Sequence, residues 1–196
     1  MQLLGLSDST PKTEGRLKSL FWPTIRNEVD LDVVTTQGFW LCAIVAALTV
    51  VIAVVSPGTI PKTVGVFEAV FYFSGGLGVR MRSRIAAGAT FGAYLLGCVV
   101  LQKYTGQGFG LPRLIFLALL LANVRGIWLS ATWSVAEHGE SPVRLNETWR
   151  DKLSDQLPAF LWPKAKYLFY VVALIEFTVL MLELFPILPT TSGAVA

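Results

Sequence analysis

The sequence predicts an all-α, polytopic membrane protein: five transmembrane helices and one cytoplasmic, interfacial amphipathic helix. Three observations lead there. Apolar residues make up 54% of the chain and charged ones 15%, with a mean hydropathy of +0.60. The apolar residues lie in long runs rather than at a period of 2 or 3.6, as in helices that are hydrophobic all round. Lysine and arginine are distributed unevenly between alternate connections, as the positive-inside rule requires.

Residues 1–37 form a polar, cytoplasmic N-terminal segment that contains a short amphipathic piece, Arg16 to Trp22, with Leu17, Leu20 and Phe21 on one face. No apolar stretch of signal-peptide length occurs in it, so the N-terminus is expected to stay on the side of synthesis. The acids Glu28, Asp30 and Asp32 read as a solvated linker ahead of the membrane.

Residues 38–133 carry transmembrane helices 1–4. The first, 38–56, opens on Phe39 and Trp40 at headgroup level and closes at Ser56-Pro57-Gly58. The second, 64–79, is short, and Gly75, Gly76 and Gly78 suggest a bend or break such as transport sites use. Arg80, Arg82 and Arg84 make a basic turn before the third, 85–104. In that span Gly88 and Gly92 form a small-xxx-small pair, which predicts a groove for close helix packing. The loop Thr105 to Arg113 contains Gly-x-Gly fragments but follows no strand, so nucleotide binding is not expected. The fourth span, 114–133, contains Asn123, expected to make an interhelical hydrogen bond, and Arg125.

Residues 134–166 form a second cytoplasmic segment. Ser141-Pro142 is a helix start, and Leu145, Trp149, Leu153 and Leu157 recur every four residues until Pro158 ends the pattern. This stripe is expected to lie on the inner leaflet or to dock a partner. Residues 167–185 are the fifth span, and 186–196 an uncharged external tail. Twelve Lys or Arg fall on the N-terminal side of the membrane against three (Lys62, Lys103, Arg113) opposite. The N-terminus is therefore expected in the cytoplasm, the C-terminus outside, and the protein in the plasma (inner) membrane. A weak internal echo, Phe21-Trp-Pro-Thr-Ile-Arg26 and Leu161-Trp-Pro-Lys-Ala-Lys166, precedes the first and last spans.

Glu68, Arg125 and Glu176 are the charged residues deep inside these spans, Lys103 and Glu183 lying near span ends. At 1.5 Å per residue, Arg125 lies about 2 Å and Glu176 about 0 Å from the midplane, and Glu68 about 5 Å toward the outside. An Arg125–Glu176 ion pair is expected, with Glu68 as a second partner. Such a cluster either fixes helix register or carries ions or protons, and the sequence favours the first, since no polar chain continues to either surface.

Enzyme motifs are absent: His138 is the lone histidine, there is no Gly-x-Ser-x-Gly and no Cys-x-x-Cys, and Cys42 and Cys98 fall inside spans. No metal, cofactor or nucleic acid is expected. The expected partners are the lipid bilayer and a membrane-protein partner or further copies of the chain. The expected role is an accessory or structural membrane protein that packs with or assembles a larger complex. The alternative is a small oligomeric transporter or channel that uses Glu68, Arg125 and Glu176 as its path.

Overall fold

The computed structural model describes residues 15–25, 28–55, 61–106, 109–132 and 149–185, and every regular element among them is a helix. α1 is Arg16–Phe21, α2 Glu28–Val55, α3 Lys62–Arg80, α4 Arg84–Thr105, α5 Leu111–Ser130 and α6 Trp149–Leu184. Four of these, α2, α4, α5 and α6, are long and apolar enough to cross a membrane. α3 is shorter than these four and is diluted by Glu68 and its glycines. Its 19 residues still rise about 28 Å.

The helices from α2 to α6 run alternately up and down. One end of the bundle, here the arginine end, collects Glu28, Arg80, Arg82 and Asp155, which pair with one another. The opposite, far end collects Lys103 and the end of α6, where Lys103 Nζ donates to the carbonyls of Glu183 (2.8 Å) and Leu184 (3.0 Å). These carbonyls lack helical donors at a C-terminus, and a lysine satisfies them.

α3 is the central helix, packed on α2, α4 and α6. Its glycines are why. A methyl group at Gly76 would stand 2.8 Å from Cys42 Cβ of α2; one at Gly75 would strike Thr90 of α4, and one at Gly78 both Ala86 of α4 and Trp162 of α6. All three glycines are buried inside one continuous helix. The expected break in this span does not occur: the glycines remove side chains where three neighbours crowd in, and the i→i−4 ladder survives because the interior is dry. Phe39, Phe71, Trp162, Phe169 and Leu180 fill the core around this axis, with Phe71 and Phe169 stacked at 5.6 Å. On the other side α5 packs against α2 and α4, and α1 against α5.

Three further expectations are corrected. α2 begins at Glu28, ten residues before the expected span, so its acids are helical turns rather than a solvated linker; Glu28 is 7% exposed. Acids in a first turn also complement the helix dipole. The amphipathic segment and the last span are one helix, α6, which continues through Pro158 and Pro163. Of the stripe, Trp149 and Leu153 are exposed, Leu157 packs on the core, and Leu145 lies outside the described residues. The small-xxx-small groove of α4 is used only at Gly92, against Phe177; a methyl at Gly88 would meet nothing within 4 Å.

Candidate functional site

The most organised polar group is at the arginine end, centred on Arg80. Its side chain is 9% exposed. Nε donates to the Ser154 carbonyl (3.2 Å) and Asp155 Oδ1 (3.2 Å), and Nη1 to Thr35 Oγ1 (2.8 Å) and the Asp32 carbonyl (3.3 Å). Nη2 meets Asp32 Oδ1 at 2.5 Å and Asp155 Oδ1 at 2.6 Å. One guanidinium thus joins α2, α3 and α6. Its planar fork of five N–H donors suits this many partners, where an ammonium does not.

The Ser154 carbonyl is available for a definite reason. In a regular helix it would accept from the N–H of residue 158, but that residue is proline and has none. Arg80 Nε fills the vacancy, which lets α6 tolerate a proline at this level. Beside it Arg82, at positive φ (57°), pairs with Glu28 Oε2 at 2.5 Å, while Glu28 Oε1 is buried with no hydrogen-bond partner. Sequence reasoning missed this group, treating Arg80 and Arg82 as orientation signals. The available cue was register: Glu28 and Asp32 are spaced i, i+4 at the start of one helix. The next helix, antiparallel to it, ends on arginines at the same level.

Arg125 does not meet Glu176. Its Nη1 donates to the Pro23 carbonyl at 2.9 Å, and its guanidinium lies over the Trp22 ring, 4.6 Å from the centroid. The expected pair fails because α5 ends at Ser130, so Arg125 lies five residues, about 7.5 Å of rise, from the arginine end of its helix. There the segment after α1 folds back and caps it. Asn123 makes no interhelical hydrogen bond: Nδ2 donates to Leu119 O of its own helix (2.9 Å), and Oδ1 is buried without a partner in the space left by Gly38 of α2.

Glu68 and Glu176 were expected to share Arg125; they lie near each other without it. The two are within electrostatic reach of each other, of Glu183 and of Tyr72. Glu176 is 8% exposed, Glu68 intermediate and Glu183 exposed. Neither Glu68 nor Glu176 has an ion pair among the described residues. The lysine beside Glu183 is Lys103, which donates to the backbone carbonyl of Glu183 rather than to its carboxylate.

The fold is thus an all-helical bundle with four helices apolar and long enough for membrane insertion, an arginine clamp at one end and an acidic interior toward the other. No protein-family model, curated protein or solved structure matches this chain.

Proposed function

We propose that this chain is a non-catalytic, multi-pass membrane protein of accessory or structural type that packs with or helps assemble a larger membrane complex. The observation that carries this reading is how its cations are used. Arg80 joins three helices through its side chain, Arg82 closes on Glu28, and Arg125 is held by Pro23 and Trp22. Such arrangements fix helix positions, and rigid helices present constant outer faces. Those faces are apolar and wide, with Ile44, Leu48, Val51 and Val55 of α2 and Leu174 of α6 exposed for lipid or partner helices. The Lys and Arg distribution supports a cytoplasmic N-terminus and an external C-terminus, and we place the protein in the plasma (inner) membrane as part of the same proposal.

A small oligomeric transporter is the second reading. The facing pair Glu68 and Glu176 favours it, but Arg125 no longer belongs to its path. Purification in mild detergent, with total mass and co-purifying chains determined together, separates the two. A stoichiometric companion chain is the expected result; a clean homo-oligomer with no companion would sink the assembly reading.

A further inference from the structure

We propose that Glu68, Glu176 and Tyr72 form a buried proton-exchange site, open to the aqueous phase at the far end of the bundle and closed toward the arginine end. The proposal is independent of the assembly reading, which concerns the outer faces.

Four observations carry it. The first is direction. On α3, Glu68 and Tyr72 are one turn apart and lie opposite the lipid-facing stripe Val66, Val70 and Phe73. On α6, Glu176 belongs to the inward stripe with Phe169, Val172, Ala173 and Leu180. Both carboxylates therefore face the interior, not lipid. The second is graded access: Glu183, two turns beyond Glu176 on the same face, is exposed, Glu68 is partly exposed and Glu176 is 8% exposed. The acids thus lead from the far-end surface inward. The third is Tyr72, 7% exposed, whose phenol lies within reach of both carboxylates and whose hydroxyl has no hydrogen-bond partner among the described residues. A phenol hydroxyl both donates and accepts, so it can exchange hydrogen bonds with either acid. The fourth is closure. On the arginine side of the two glutamates, the stacked, fully buried Phe71 and Phe169 fill the core level with Tyr72, and Trp162 lies beyond, against Phe169 at 5.7 Å.

The charges facing the site do not neutralise it. Lys103 of α4 is committed to the end of α6, and Arg113 of α5 acts on Tyr94 and Cys98 of α4. Cys42, the α2 group nearest Tyr72, adds no cation. Among the described residues no three acidic, Cys or His side chains converge as a metal ion would require. A proton needs one carboxylate only. It passes from hydronium to a carboxylate, leaving water, and the neutral acid can then donate to its neighbour or to the Tyr72 oxygen.

The test is infrared difference spectroscopy of the full chain in lipid nanodiscs, following the C=O stretch of protonated carboxyl groups as external pH is changed. The expected result is a titrating band that disappears in Glu176→Gln, shifts in Glu68→Gln and shifts less in Tyr72→Phe. Glu183→Gln should keep the band but slow its exchange with deuterium. Should Glu176→Gln not fold, the band shift in Glu68→Gln decides alone. The proposal is overturned if no band responds to either glutamate. It is also overturned if sodium or potassium at fixed pH abolishes the band, which would make the ligand an alkali cation. A band that appears only after a companion chain is stripped away would assign neutralisation to that partner's base, and would overturn it too.

Discussion

Arg80 shows what a single buried charge does when every donor is used. Removing one member of a buried pair costs about 3–5 kcal/mol, because the partners remain desolvated and unpaired. Arg80→Ala should therefore lower unfolding stability in mixed micelles by that order, because it removes the contacts to Asp32, Asp155 and the Ser154 carbonyl together. Arg80→Lys should recover only part of the loss, since an ammonium cannot serve three helices at once. An Arg80→Ala protein as stable as the parent would disprove the clamp. Arg125 makes a useful contrast. One hydrogen bond and one cation–π contact at a partly exposed site are worth about 1–2 kcal/mol, so Arg125→Ala should be the milder variant. The exchange Arg125→Glu with Glu176→Arg should not restore folded yield, because the two side chains face different neighbours. Rescue by that exchange would put them in contact after all.

At the scale of elements, α3 is decided by small residues. Its glycines look like helix breakers in a one-dimensional reading, yet they let three helices approach one axis. Gly78→Ala should destabilise the bundle by about 1–3 kcal/mol, the usual cost of overpacking, since its methyl group meets Ala86 and the Trp162 ring. Gly88→Ala, with open space around it, should be neutral or stabilising by up to about 1 kcal/mol through helix propensity. Thermal unfolding of the two variants side by side checks this; equal losses would mean that α3 and α4 pack otherwise. α6 makes the complementary point. Proline ends a helix when its missing donor strands a carbonyl, but at Pro158 the carbonyl of Ser154 is taken up by Arg80.

At the scale of the whole molecule, α2 to α6 are five helices that alternate in direction; in the proposed reading, in which all five cross the membrane, the two ends of the described bundle lie on opposite sides. Single cysteines introduced at Gly15 and at Phe185, in a background with Cys42 and Cys98 replaced by alanine, should therefore react with impermeant reagents from opposite faces of the membrane. Labelling of both from one face would remove α3 as a crossing. It is the one long helix of the bundle that composition alone does not qualify, and the proposal that it crosses rests on its place inside the protein, not on its hydropathy.

What the sequence determined by itself is what depends on composition and local order: an all-helical fold and apolar helices of bilayer length. Those features are legible because helix faces repeat at a known angle and long apolar runs have few other solutions. What only the tertiary structure decided is which charges meet. Glu28 and Asp32 look like a solvated run until the antiparallel neighbour brings arginines to their level. Arg125 looks like a mid-membrane cation until the end of its helix is seen five residues away and the chain before α2 covers it. Electrostatic partnership depends on distances of a few ångströms between helices. A shift of one helical turn, about 5 Å, is invisible in one dimension and is enough to exchange one partner for another.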